Sequence, residues 1–177
     1  QAISAIDLVI LTHAHSDHAS GVMELMEAGV VRALCMPIRS DEINRSPSQE
    51  EDMSDAIETL ASDEGIALYH LKTGDVIDWR GVQIEVLSPD DKLRGDLNDR
   101  SLVLSISLEG IRVLMTGDLT EATERYLLRS DFDFSADLLH VAHHGSRYAT
   151  TDAFLLACDP ETAVISVGAH NRYGHPH

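Results

Sequence analysis

Cysteine is scarce in this sequence: 177 residues hold two, Cys35 and Cys158, far apart and each in an apolar stretch. They read as small core residues rather than as a disulfide framework. Basic residues are scarce as well, with 13 Lys and Arg against 30 Asp and Glu and a net charge of −17. Nucleic-acid binders usually carry a basic face, so this balance argues against a large electrostatic footprint of that kind. It leaves a phosphodiester substrate open, because two bound divalent cations make their surroundings positive whatever the total charge. The plainest reading of the acidity is solubility. Aromatic residues make up only 5% of the chain. Long hydrophobic runs are missing: nothing approaches the roughly 18 apolar residues that cross a membrane, and no signal-peptide pattern opens the chain. No repeat or low-complexity linker divides it. By length, residues 1–177 form one domain able to bury a core.

Histidine, by contrast, is concentrated. His13-Ala14-His15-Ser16-Asp17-His18 puts three imidazoles and a carboxylate into six positions. The apolar run Leu8-Val9-Ile10-Leu11 before them reads as a buried strand. The spacing of Val22, Leu25 and Met26 after them predicts a helix. The motif therefore sits where a strand hands over to a helix. In extended backbone His13 and His15 project to the same side, and the turn that follows lets Asp17 and His18 aim at a second point. That pattern suits two metal ions side by side, roughly 3.5–4 Å apart. With no sulfur among the ligands, Zn²⁺ fits, or Mn²⁺ where oxygen weighs more.

The rest of the chain reads as a mixed α/β succession. Ala2, Ile3 and Ile6 suggest the end of a helix. Val30–Met36 reads as a strand stopped by Pro37, and 39–49 as a polar loop. Ser48 with Glu50, Glu51 and Asp52 reads as a helix start, Met53, Ile57 and Leu60 as the apolar face, and Gly65 as its end. Strands are expected over 67–71, 76–79 and 82–86. A hairpin is expected from 101–108 and 111–116 around Glu109-Gly110. A helix over 121–129, a strand over 136–142, a helix over 152–158 and a strand over 163–167 complete the pattern. Its polar motifs fall repeatedly at strand ends.

Three of those motifs join the first cluster. Asp118 follows a strand and Gly117, His143 and His144 precede Gly145, and His175 lies in Tyr173-Gly174-His175-Pro176. Asp118 taken alone reads as a helix N-cap. Taken with the others it supplies a carboxylate able to bridge two metals.

Thr12-His13-Ala14-His15-Ser16-Asp17-His18 and Thr116-Gly117-Asp118 resemble the HxHxDH and later aspartate motifs of the metallo-β-lactamase superfamily. Asn98-Asp99-Arg100-Ser101-Leu102-Val103-Leu104, Val141-Ala142-His143-His144-Gly145-Ser146, Ile165-Ser166-Val167-Gly168 and Tyr173-Gly174-His175-Pro176 are similar to the C-terminal domain of ComEC-type competence proteins, the membrane channel of bacterial DNA uptake. The resemblance implies an αββα sandwich, here lacking its first hairpin and last strand or strands. It implies that His13 and His15 bind one metal, Asp17 and His18 the other, and that Asp118 bridges them. His144 or His143 completes the second site. The superfamily usually has a further histidine before the bridging aspartate. None is present, and Asn98 or Asp99 lies in that region.

The activity so implied is metal-dependent hydrolysis of phosphodiesters, with single-stranded DNA as substrate and no small organic cofactor. Asp17 would orient the attacking water and His175 assist the leaving oxygen. Asn98, Asp99, Ser146 and Arg147 would contact the substrate. The fold also hosts hydrolases of lactones, thioesters and phosphocholine esters, so these are the rival reading, favoured slightly by the acidic surface. A binding module with an incomplete site is the other. A soluble domain is expected, which the resemblance would attach to an inner-membrane protein.

Overall fold

The computed structural model describes residues 4–39 and 53–177. Three parallel strands, β1 (Val9–Ile10), β2 (Ala33–Pro37) and β3 (Ala67–Leu71), form one sheet in that order. Six more form a second sheet, again in chain order: β4 (Val76–Trp79), β5 (Val82–Ser88), β6 (Val103–Leu108), β7 (Ile111–Met115), β8 (Leu138–His140) and β9 (Thr162–Val164). Strands β4 to β7 are antiparallel, while β7, β8 and β9 run parallel. Helices α1 (Ser16–Glu27), α2 (Ser54–Asp63), α3 (Glu121–Leu127) and α4 (Asp152–Cys158) cover the outer faces.

Strand alternation sorts the core into layers. On β2, Leu34 and Met36 pack with Ala19 and Met26 of α1 and Ile57 and Ala61 of α2. Cys35 between them faces the other way, towards Leu71, Val86, Leu102 and Leu104, a cluster drawn from both sheets. On the second sheet Leu87, Val103, Leu114 and Leu139 turn outward onto Leu127 of α3 and Phe154 and Cys158 of α4. The order is helix, sheet, sheet, helix, an αββα sandwich. Each fully buried aliphatic side chain contributes about 1.5–3 kcal/mol. Truncating Leu139, which is 0% exposed, to Ala costs about 2–5 kcal/mol.

The helix starts differ in a telling way. Thr120 caps α3 by accepting from the Thr123 amide, and Thr151 caps α4 by accepting from Phe154. The capping position of α1 is His15, which makes no side-chain cap bond. Met53 at the start of α2 makes none either. With Thr120 as the cap, Asp118 is not one.

Several expectations need correction. Ile6 forms a β-bridge with Val31 rather than ending a helix; Ala2 and Ile3 lie outside the described residues. The expected loop over 40–49 and the helix start at Ser48, Glu50, Glu51 and Asp52 also lie outside them, and α2 begins at Ser54. Strand β8 is shorter than 136–142 because the chain leaves the sheet at Val141 to form a tight turn over Ala142–Gly145. Strand β9 lies earlier than 163–167, paired with β8 through Thr162–Val164. Both cysteines are free and buried.

Candidate metal centre

Three strand ends meet at one end of the sandwich and are stitched by their backbones. Leu102 N–H donates to the Thr12 carbonyl at 2.9 Å, and His143 N–H to the Gly117 carbonyl at 3.1 Å. The Asp118 N–H donates to Ser101 Oγ at 3.2 Å. Gly117, at φ +53°, makes the approach possible: a Cβ there would lie 2.9 Å from Thr12 Cβ. Gly145 does the same for the last motif, since its Cβ would lie 2.7 Å from Pro176 Cβ.

Side chains converge accordingly. One ligand atom from each of Asp17, His18, Asp118 and His144 lies within 4.8 Å of the others. His18 Nε2 stands 3.3 Å from Asp118 Oδ1, and His144 Nε2 stands 3.4 Å from Asp118 Oδ2 and 3.5 Å from Asp17 Oδ2. His13 Nε2 is 3.9 Å and His143 Nε2 3.8 Å from Asp118 Oδ2. His15 packs edge-on against His13, ring centres 4.9 Å apart. Both are buried, at 0% and 2% exposure.

Backbone strain is stored at the paired histidines. His143 and His144 have φ of 49° and 55°, the left-handed region that costs a non-glycine residue about 1–3 kcal/mol. The conformation turns both rings towards Asp118. The Nδ1–H of His144 donates to the Ser166 carbonyl at 2.8 Å, which fixes the ring and leaves Nε2 as the inward atom.

Burial works to raise the Asp118 pKa, but contacts from the His144 and His18 imidazoles and the charge of His13 outweigh it and hold the carboxyl below its ordinary range. His144 is pushed up to about 9, mainly by Asp118, against the opposing effect of burial. His13 is pushed down to about 3, by burial first and the charge of His18 second. Asp118 is thus an anion ringed by imidazoles.

The donor set fits divalent cations. His13 Nε2 is buried without a hydrogen-bond partner among the described residues, a costly state for a polar atom. His18 Nε2 and His144 Nε2 face each other at 3.3 Å, where two nitrogen lone pairs repel unless a proton or a cation lies between them. Imidazole nitrogen and carboxylate oxygen are the ligands Zn²⁺ and Mn²⁺ take.

The remaining expected residues are placed less uniformly. His175 lies beside His143, ring centres 6.2 Å apart, and stacks on Tyr173. Its backbone is gripped by the Asn171 side chain, which accepts from the His175 N–H at 2.9 Å and donates to its carbonyl at 2.8 Å. Of the four substrate candidates, Arg147 alone is exposed. Asn98 and Ser146 are buried, and the half-buried Asp99 is engaged by the hydroxyls of Thr120 and Thr123. Asp99 therefore anchors its loop to the N-terminus of α3.

His140 is a residue that pattern reading passes over. It is half-buried, its Nδ1 lacks a partner among the described residues, and burial lowers its pKa, with Asp118, His144 and His18 close enough to act on it. The available signal is its place at a strand end, three residues before the paired histidines.

An αββα sandwich with imidazoles and carboxylates gathered at one end defines a class of metal-binding domains. The family model for the metallo-beta-lactamase superfamily matches residues 1–170, and the chain belongs to that superfamily. Among curated proteins it is 34% identical, over its whole length, to ComE operon protein 3 of Bacillus subtilis, covering 22% of that protein. It is 37% identical over 55% of its length to Competence protein ComA of Neisseria gonorrhoeae, covering 14% of it. It is 26% identical over 97% of its length to Recombination protein 2 of Haemophilus influenzae, covering 19% of it. The chain thus spans about a fifth of the length of these relatives or less. Among solved structures, CmlA, a diiron beta-hydroxylase from Streptomyces venezuelae, superposes with a TM-score of 0.62 at 13% identity, over 90% of this chain and 35% of that one. YhfI, a metallo-beta-lactamase fold protein of Bacillus subtilis, gives 0.53 at 14% identity, over 92% and 67%. These two likenesses concern the fold. Among the described residues, no helix is long and apolar enough to cross a membrane.

Proposed function

We propose that this chain is a two-metal hydrolase of phosphodiesters, acting on single-stranded DNA during DNA uptake. The observation that supports it most is the convergence of Asp17, His18, Asp118 and His144 within 4.8 Å, in a chain similar over its full length to ComE operon protein 3. His13 and His15 would hold one cation, Asp17, His18 and His144 the other, with Asp118 shared. His144 suits the second position better than His143, because it lies near two carboxylates rather than one. When bound, two divalent cations supply Lewis acidity and make water nucleophilic at neutral pH.

The chain's own residues supply the rest. Asp118, held as an anion among the imidazoles, would be the carboxylate shared by both cations. Asp17, whose side chain is 60% exposed, reaches from the cluster into solvent and would orient the attacking water. His175, beside His143 at the edge of the cluster, would pass a proton to the leaving oxygen. Arg147 would bind a non-bridging phosphate oxygen. We also infer that residues 1–177 act as one domain of a longer, membrane-anchored protein, since the relatives it matches are several times its length.

The test is to load the protein with Mn²⁺ or Zn²⁺, add single-stranded DNA and compare Asp118→Ala. Cleavage that needs metal and vanishes in the variant supports the reading. Metal bound without DNA cleavage, but with turnover of a small ester, moves the assignment to the ester hydrolases that the net charge of −17 favours. No bound metal and no turnover leaves only a binding module.

A further inference from the structure

Beside α3, two neighbouring cavities share Tyr126 and Arg129, and neither draws on the histidine cluster. The first, about 350 Å³, is lined by Lys92, Arg94, Arg125 and Arg129. Four of only 13 basic residues thus gather at one place in a chain of net charge −17. The second, about 390 Å³, has an apolar wall of Leu87, Leu127 and Phe132 with Ser88 on its lining. Both volumes lie in the range of small-molecule sites.

Two carboxylates border these cavities, Asp90 committed to its own loop and Tyr126, and Asp99 to the N-terminus of α3. Asp90 accepts from the amides of Lys92 and Leu93, at 2.9 and 2.7 Å, and from the Tyr126 hydroxyl. Asp99 accepts from the hydroxyls of Thr120 and Thr123. Arg94 donates to the Asp91 carbonyl, and Arg125 pairs with Glu121 on the exposed face of α3. An exposed pair of that kind is weak and gives way to a phosphate, which binds a guanidinium through two oxygens.

A second observation points to a ligand. Ser88 is among the residues that line the apolar cavity; it is 1% exposed, and its buried Oγ has no hydrogen-bond partner among the described residues. A buried hydroxyl is costly to leave unpaired. The two cavities side by side offer cations at one end and, at the other, an apolar lining with an unpaired hydroxyl buried at Ser88.

We infer that the paired cavities bind a nucleotide unit. Its phosphate lies among Lys92, Arg94, Arg125 and Arg129, its base lies against Tyr126 and Phe132, and Ser88 Oγ meets a polar edge of the base or sugar. The site works without the metal centre and stands independently of the hydrolase reading.

The experiment uses EDTA-treated protein in an Asp118→Ala background, titrated with adenosine monophosphate, a short fluorescent single-stranded oligonucleotide, and inorganic phosphate. The nucleotide is expected to bind at least tenfold tighter than inorganic phosphate. Lys92→Glu with Arg129→Glu, both exposed positions, should weaken it tenfold or more, and Ser88→Ala should weaken the nucleotide but not phosphate. Oligonucleotide binding lost in the same double variant identifies a strand as the source; binding of the monophosphate alone identifies a free nucleotide. Either supports the site. Phosphate binding as tightly as the nucleotide, no nucleotide binding, anionic vesicles binding in its place, or a folded double variant with unchanged affinity overturns it.

Discussion

His18 Nε2, from the first turn of α1, and His144 Nε2, from the turn after β8, stand 3.3 Å apart across 126 residues of sequence. Neither nitrogen has an apolar reason to be there. Both also face Asp118, so the pair holds a position that a cation would occupy and a neutral pair would avoid. His18→Ala and His144→Ala should each weaken Mn²⁺ or Zn²⁺ binding by about 100-fold or more, measured calorimetrically. Replacing His70, which pairs with Glu58 on the surface, should leave that affinity unchanged. Equal losses in all three variants would point to a general effect on folding.

Stability of the metal-free protein should be bell-shaped in pH. His144, raised from 6.5 to about 9, contributes stability that is complete below pH 6.5 and lost as pH rises through 9. His13, lowered from 6.5 to about 3, acts oppositely: its burial costs nothing above pH 6.5 and increasingly more as pH falls towards 3. Asp118, held below its ordinary 3.8, adds a further loss below that pH. Each group contributes a slope of at most about 1.4 kcal/mol per pH unit. Denaturant midpoints in EDTA should therefore peak near pH 6.5, and a midpoint that climbs steadily to pH 9.5 would refute the contribution of His144.

Gly117→Ala changes no ligand, yet should weaken metal binding. The added methyl would meet Thr12 Cβ at 2.9 Å and Ser101 Cβ at 3.1 Å, at a φ of +53° that alanine adopts poorly. Relief requires the Asp118 loop to move away from the strand end that carries His13. A stability cost of about 1–3 kcal/mol is expected with it. Calorimetric titration of the folded variant reads the affinity, and native affinity would show that the loop yields elsewhere.

Glu124→Ala should be among the most destabilising changes outside the cluster. Glu124 is 0% exposed, and it accepts from the amides of Thr150 and Thr151 and from the Thr151 hydroxyl. Burial raises its pKa against those donors. Removing the carboxylate leaves the donors unpaired beneath α3, at about 1–3 kcal/mol each. Glu124→Gln, which keeps an acceptor, should lose less in thermal unfolding.

Local patterns carried most of the architecture. The alternation at β2, with Leu34 and Met36 on one face and Cys35 on the other, is readable from three consecutive letters, and so is the density of imidazoles at His13, His15 and His18. Less legible were features made by distant residues. That Ser166 fixes the His144 ring, that Thr120 takes up Asp99, and that His140 lies beside Asp118 all depend on strand pairings that no short window contains. The shortening of β8 belongs with them, because the left-handed turn at His143 and His144 is held by the Gly117 carbonyl from another strand end. The basic cavity beside α3 was hidden for the same reason: Lys92 with Arg94 and Arg125 with Arg129 are two local pairs, distant from each other in sequence, that meet only in the fold.

The two sheets contribute unequally to the cluster. His13, His15, Asp17 and His18 follow β1 of the three-stranded sheet, whereas Asp118, His143 and His144 follow β7 and β8 of the six-stranded one. A cation held by both sets would act as a clasp between the halves of the sandwich. Its binding energy would then oppose their separation, by about 4 kcal/mol when the free ion stands at a thousand times its dissociation constant. Chelation would loosen the seam between the sheets before it touched either helical layer, and amide exchange would register it first at Cys35, Val86 and Leu104, which line that seam.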